Sequence, residues 1–404
     1  MNRPRAASAL PALVALTIAY VLSQFFRTML GVIAPEIARD LGLGATALGT
    51  LSALFFLAFA AAQLPVGILL DRFGPRWSVS LVMLLAVAGA AVFAAAPGPG
   101  LAYLGQILIG LGCSPIYMGA LFVVARTYPP LRFAAIASLI LAIGQAGVLL
   151  GTTPLALAAD ALGWRGALLA VSGVVLASAL AVLALVRDPP RARGVGDSLG
   201  AALAGVLGVL RLRALWPLLP LTLVSYGVIV TLRGLWGGPY LADAFALAPA
   251  ARGHVLLAMS LALIAGTLGY AAIERRLDRR REPVIAGTCV TVAALLVLAA
   301  WPGHSLALAS AMLALVALAG IHFALVMAQG RRFLPEHLVG RGLTLLNGTA
   351  FLGAAAVQFG SGAVIDAAAA AGLSRLGGFA LLFAFLAALL AVTLVPYLRS
   401  ADRR

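Results

Sequence analysis

The sequence predicts an all-α polytopic membrane protein with twelve transmembrane helices in two six-helix bundles. Three observations carry that prediction. The 404 residues are 63% hydrophobic and only 10% charged, with a mean hydropathy of +1.08, against about 25% charged residues in soluble domains. The apolar residues come in runs of the roughly 20 residues that a helix needs to cross about 30 Å of hydrocarbon. A short pattern also occurs twice, in 20–40 and in 226–243: a tyrosine seven residues before an arginine, then a proline and an aspartate.

In chain order the apolar runs fall at 9–34, 45–70, 77–96, 100–125, 133–159 and 166–186. A polar connector follows, with Pro189, Pro190, Arg191 and Arg193. The second set lies at 214–240, 253–273, 284–301, 305–329, 342–366 and 376–397. The expected organisation is therefore a bundle over 1–186, a cytoplasmic connector over 187–213 and a bundle over 214–404. Other connections are short, as between antiparallel helices. Asp197 and Ser198 are placed to cap a short interfacial helix reaching Leu210. No cleavable signal peptide is expected, because the first run is too long and no small-residue cleavage site ends it. Cys113 and Cys289 both fall in apolar runs, so neither a disulfide framework nor a metal site is expected.

Orientation follows from the arginines, which are the only basic residues besides four histidines. Numbering the connections alternately puts 22 of the 28 with both termini and the central connector. The opposite side holds Arg39, Arg165, Arg252 and Arg375, and Arg27 and Arg233 lie within runs. The positive-inside rule then places both termini in the cytoplasm of a cell whose inner (plasma) membrane holds the protein. The net charge of +15 is thus a topology signal, and nucleic acid is not an expected partner.

The connection after the second run reads Gly67-Ile-Leu-Leu-Asp71-Arg72-Phe-Gly74-Pro-Arg76. Gly67 would allow close helix approach, Gly74 a tight turn, and the Asp/Arg set hydrogen bonds across the cytoplasmic face. This GxxxDRxGxR pattern resembles the signature of the major facilitator superfamily, at its expected place. The resemblance implies the MFS fold, transport by alternating access, and a conformational latch made by Gly67, Asp71, Arg72, Gly74 and Arg76. The matching segment of the second half, 274–281, is a degenerate version with more charge. Two other family patterns are broken. Gln106, four residues before Gly110, stands where many proton-coupled members carry an arginine. Gly147 and Gly151 keep the small-xxx-small spacing of the drug/proton antiporters, but Thr152-Thr153-Pro154 does not keep its ending.

Arg27 and Arg233 lie about 7 and 9 Å to the outer side of their run midpoints, at similar depth. A guanidinium in the hydrocarbon costs from roughly 3 to well over 10 kcal/mol. Snorkelling is strained for Arg27, because the next turn signal, Pro35, lies about 12 Å further on. The carboxylates all fall in connections or at run ends, which leaves an anionic ligand as the natural counterion. The arrangement resembles the organophosphate antiporters and the anion:cation symporters, in which arginines of spans 1 and 7 hold the anion. Tyr20 and Gln24 share the face of Arg27, with Ser23 beside them. Tyr226 and Trp236 stand near Arg233, and Tyr117, Gln145, Asn347 and Gln358 are further intramembrane polar side chains. Any of them can instead bridge helices. His322 is the proton-coupling candidate, with helix packing as its plainer role.

The expected function is secondary transport of a small organic anion, a carboxylate or phosphate ester, across the inner membrane, with import the favoured direction. A co-transported or exchanged ion is an expected partner besides the lipid bilayer. No cofactor, no metal and no enzymatic activity are expected, and the protein is read as a monomer. The alternatives are an exporter of drugs or metabolites in the same fold, and a sensor or assembly protein that kept the fold and lost transport.

Overall fold

The computed structural model describes residues 6–188, 208–277, 280–335 and 339–400. The interfacial helix expected from Asp197 lies outside them, except for residues 208–210, which are helical. Every regular element among the described residues is a helix. In chain order they are α1 (Ala6–Phe26), α2 (Leu30–Leu41), α3 (Ala45–Ala94), α4 (Pro99–Cys113), α5 (Ile116–Thr127), α6 (Pro130–Leu150) and α7 (Thr153–Leu185). After a 3-10 turn at Arg213–Leu215 come α8 (Leu219–Thr231), a π-helical turn (Leu232–Trp236), α9 (Gly237–Phe245), α10 (Pro249–Leu277) and α11 (Arg281–Ala300). The chain ends with α12 (Leu306–Gly320), α13 (Phe323–Arg332), α14 (Val339–Ala370) and α15 (Arg375–Tyr397).

Among the described residues, ten helices are long and apolar enough to cross a membrane, or eleven when the bent pair Leu10–Phe26 and Leu30–Leu41 counts as one span. The expected turn at Gly74 is present: its φ of 79° breaks α3 where the second and third apolar runs meet, a conformation that only glycine takes without strain. Gly67 differs from expectation. Among the described residues, a side chain there would meet nothing within 4 Å.

The expected interruption at Pro35 is also displaced. Helix α2 runs through Pro35, and the break falls earlier, at residues 27–29. Proline lacks the N–H that would bond the carbonyl four residues back, here that of Gly31. That carbonyl is covered by tertiary packing instead, lying 2.1 Å from where a Cβ on Gly238 would sit.

The helices form two compact units. The first comprises Met1–Met29 and Leu54–Ala201. In it α1 lies along Gly144 and Gly147 of α6 and Gly151 just after it; a Cβ on Gly147 would fall 1.8 Å from the Val21 carbonyl oxygen. This small-xxx-small face thus holds α1 at backbone contact. At the end of α7, Asp188 accepts from the Arg76 backbone N–H at 2.8 Å, and Arg76 Nε donates to the Leu183 carbonyl at 2.7 Å. Asp71 and Arg72 are exposed. The second unit comprises Leu30–Ala53 and Ala202–Arg404. Its α8 packs on α14 through Gly353, whose Cβ position is 1.7 Å from the Leu223 carbonyl oxygen. Here Arg281 donates to the Leu398 carbonyl beyond α15, as Arg76 does near the end of α7.

Candidate functional site

Both intramembrane arginines sit where a helix is interrupted. Between Phe26 and Leu30 the chain bends by 51°, and Arg27 opens the turn. Neither proline nor glycine lies in that turn. Thr28 instead turns its hydroxyl back onto the Phe25 carbonyl at 3.1 Å, while the N–H groups of Thr28 and Met29 crowd onto the same oxygen. Back-bonding of this kind bends helices.

Arg27 is half-buried, with its guanidinium carbon 4.6 Å from the centre of the Phe59 ring, within range of a cation–π attraction. One turn and two turns before it, Gln24 and Tyr20 are buried against α6: Gln24 beside Gly147, Tyr20 over Gly144. The Tyr20 ring meets that of Tyr117 at 5.0 Å. The structure therefore brings Tyr20, Gln24 and Tyr117 around the same stretch of α1. Gln145 is half-buried on α6, next to Gly144. Cys113, which the sequence gave no role, is buried in α4.

In the second unit Arg233 lies inside the π-helical turn and is only 6% exposed. The local sequence, Arg233-Gly234-Leu235-Trp236-Gly237-Gly238, is rich in glycine, which lowers the penalty for an irregular turn. Its carbonyl oxygen is 2.0 Å from where a Cβ on Gly31 would stand. Trp236 Nε1 donates to Ser361 Oγ at 2.7 Å, and Ser361 donates onward to the Gln358 carbonyl at 2.7 Å. The Gln358 side chain is fully buried, with neither end of its amide hydrogen-bonded. Tyr226 is packed against Phe323 and Phe351, at 5.7 and 5.6 Å, and Asn347 is half-buried on α14. Both guanidiniums have contacts with the protein. Donor capacity is nonetheless left at buried Nε of Arg27 and at Nε and Nη1 of Arg233.

His322 occupies a third interruption, between α12 and α13. Its Nε2 is 3.4 Å from the Thr288 hydroxyl on α11, and its Nδ1 is 3.3 Å from the Ala319 carbonyl. Tyr270 approaches edge-on and bonds the same carbonyl. These are the contacts of a histidine that ties neighbouring helices together. Gln106 is buried in α4 with both ends of its amide unbonded.

Sequence reasoning missed two polar contacts of the second unit. Arg252, 2% exposed, is paired with Glu36. The Asp366 carboxylate accepts from the backbone N–H groups of Ala45 and Thr46, at 3.1 and 2.8 Å. Glu36, Arg252 and Asp366 line one cavity of about 800 Å³ together with Trp236, Asp243 and Arg375. Among the described residues no group of three potential metal ligands occurs.

Comparison with known proteins fixes the class. The chain matches the Major Facilitator Superfamily over residues 16–358, and it belongs to that family. It is similar to the "Uncharacterized transporter YybO" of Bacillus subtilis (strain 168), 28% identical over 178 residues, 44% of this chain and 41% of that one. A stretch of 116 residues is 29% identical to the "Quinolone resistance transporter" of Acinetobacter baumannii, covering 28% of this chain and 26% of that one. A stretch of 72 residues is 44% identical to the "Probable L-galactonate transporter" of Escherichia coli (strain K12), covering 18% of this chain and 16% of that one. The matched segments thus span less than half of each of these relatives. The fold is that of a bacterial homologue of the human lysosomal transporter Spinster, seen inward-facing and unoccupied. The TM-score is 0.76 at 16% identity, covering 98% of this chain and 96% of that one.

Proposed function

We propose that this protein is a secondary transporter of a small organic anion, a carboxylate or phosphate ester, with Arg27 and Arg233 as its anion-binding residues. One observation carries the reading: both arginines stand inside interruptions of apolar helices, at matching places of a repeated sequence pattern. Transporters bind substrates near the midplane on helices that are unwound, where backbone irregularity is tolerated because it lines a cavity. A guanidinium offers two parallel donors to a carboxylate or phosphate. The relative named for L-galactonate supports a carboxylate cargo.

In this reading the chain crosses the membrane twelve times, with both termini cytoplasmic, as two six-helix bundles over 1–186 and 214–404 joined by 187–213. The apolar stretch Ala135–Leu185 has 51 residues, far more than the roughly 20 of one crossing. It supplies two crossings, with Gly163, at φ 70°, between them. Tyr20, Gln24, Tyr117, Gln145, Tyr226, Trp236, Asn347 and Gln358 are the supporting polar residues. Asp71, Arg72, Gly74 and Arg76 form the cytoplasmic latch. Import is the favoured direction, with an exchanged or co-transported ion; His322 is the residue that would carry a proton.

A thermal-shift screen of purified protein against carboxylates and phosphate esters tests the site. A ligand that stabilises the wild type should fail on Arg27→Ala and Arg233→Ala; stabilisation that survives both substitutions refutes the assignment. The relative named for quinolone resistance supports a second reading, export of drugs. Uptake measured in right-side-out and in everted vesicles separates the two directions.

A further inference from the structure

We infer that the cavity lined by Arg39, Arg252 and Arg375 is a second anion site, one that holds a carboxylate or phosphate ester with an apolar body on the side opposite the chain termini. The inference rests on the proposed topology for its sidedness, and it adds a site separate from Arg27 and Arg233.

The first argument joins the arginine distribution to the structure. Four of the 28 arginines, Arg39, Arg165, Arg252 and Arg375, fall on the arginine-poor side of the chain. Three of those four line one cavity of about 800 Å³. Its wall includes Leu43, Leu247 and Leu373, from three connections of that side, and every lining residue belongs to the second unit. Arginine on the outer side runs against the bias that orients the chain. Its gathering at a single concavity therefore calls for a role there.

The second argument is which charges are already engaged. Three carboxylates share the cavity, and each has a partner. Glu36 is paired with Arg252, Asp243 with Arg375 at 3.0 Å, and Asp366 accepts from the N–H groups of Ala45 and Thr46 at the start of α3. The arginine donors are not used up. Arg39 is exposed and, among the described residues, makes no ion pair. Arg252 is 2% exposed, yet its buried Nε has no hydrogen-bond partner. Arg375 gives Nη1 to Asp243 and keeps 82% of its side chain accessible. Glu36 Oε2 is also unbonded, but Arg252 already balances its charge. Arg39 is left without a counterpart, and a carboxylate or phosphate supplies one, with oxygens to spare for the neighbouring donors.

The third argument is size and wall. The volume falls in the range of about 300–1,000 Å³ typical of small-molecule sites. Trp236, Phe379, Leu48 and Leu247 give the cavity an apolar side, which suits an anion carried on an aromatic or aliphatic body. Trp236 also ends the π-helical turn that holds Arg233, so the two anion sites are neighbours along one helix.

The test titrates phenyl phosphate calorimetrically into the full-length protein in phosphatidylcholine nanodiscs at low salt. The Arg27→Ala, Arg233→Ala double variant lacks the proposed transport site and should still bind one equivalent. Adding Arg39→Gln should weaken that binding about fivefold or more, the loss of a charge-assisted hydrogen bond at an exposed group. Arg375→Gln should weaken it about threefold, and 0.5 M salt should weaken it further. Arg165→Gln, the outer-side arginine that does not line the cavity, should change it by less than about twofold. Where the double variant does not accumulate, the wild type should bind two equivalents and Arg39→Gln one. No binding in the double variant, a single equivalent in the wild type that Arg39→Gln leaves unchanged, or equal losses from Arg39→Gln and Arg165→Gln overturn the second site. Binding abolished by phosphatidylglycerol in the nanodiscs overturns it in favour of a lipid headgroup. Binding that Arg39→Gln lowers while Arg27→Ala and Arg233→Ala change nothing keeps this site and removes the transport-site reading.

Discussion

The two interrupted helices solve the same problem by different mechanics. At Arg27 the helix is interrupted, the chain turns by 51° and the guanidinium leans half-buried on Phe59. At Arg233 the chain holds its course through one π-helical turn, and the side chain is 6% exposed. The packing around them differs in the same sense. The helix before Arg27 packs in one unit and the helix after it in the other, whereas α8, the π turn and α9 all pack in the second. The first arginine stands two residues before the chain passes from one unit to the other, and the second stands inside one unit. In the proposed transporter Arg233 would therefore set affinity, and Arg27 would convert binding into movement.

Substituting the arginines gives the largest expected effect. Arg233→Ala removes at least two charge-assisted hydrogen bonds, at roughly 1.5–3 kcal/mol each, so anion affinity should fall by a factor of about 100 or more. Arg27→Ala should weaken binding about tenfold and depress the maximal transport rate by more than that. Ligand-induced thermal shifts and uptake kinetics, measured side by side, read the two quantities. Equal losses of affinity and rate in both variants would break the comparison.

Next come the glycines on which each support rests. A methyl group on Gly147 or on Gly31 would meet a backbone oxygen at 1.8 or 2.0 Å, an overpacking worth about 1–3 kcal/mol. Both Gly147→Ala and Gly31→Ala should lower the unfolding temperature of the purified protein.

Much of this was legible in the sequence, and the remainder was hidden for physical reasons. The apolar runs, the turn at Gly74 and the two arginines are local signals. The small residues at Gly147 and Gly151 were visible as a spacing, but their partner, α1, was not. The interruption was expected at Pro35, because proline is the strongest local breaker. Helix α2 instead runs through Pro35, and the break falls at residues 27–29, where neither proline nor glycine marks it. Glu36 with Arg252, and Asp366 with Ala45, are separated by 216 and 321 residues. Pairs that distant leave no pattern in a single chain. The close approach expected at Gly67 is not seen among the described residues, because spacing alone does not say which face of a helix has a neighbour.

A smaller effect is expected at Phe59. Phe59→Leu keeps the apolar bulk and removes the ring beneath Arg27, a loss of about 0.5–2 kcal/mol. The corresponding drop in anion affinity, up to about thirtyfold, should vanish in an Arg27→Ala background, where no cation remains to be held. A drop that persists there would mean the ring acts on the anion directly.

The smallest effect separates two roles of Trp236. Its position three residues after Arg233 makes it a natural ligand donor, yet in the structure its indole N–H is given to Ser361. If that bond positions the π turn, Trp236→Phe and Ser361→Ala each break the same strut, and both should weaken anion binding by about fivefold, the size of one neutral hydrogen bond. The double variant should then be no worse than either single one, because two residues acting through one contact are not additive. If the indole instead leaves Ser361 to bind the anion, Trp236→Phe should cost clearly more than Ser361→Ala, and the double variant should show both losses. Titrating the four proteins with one stabilising anion decides between a π turn braced from α14 and one whose tryptophan takes part in binding.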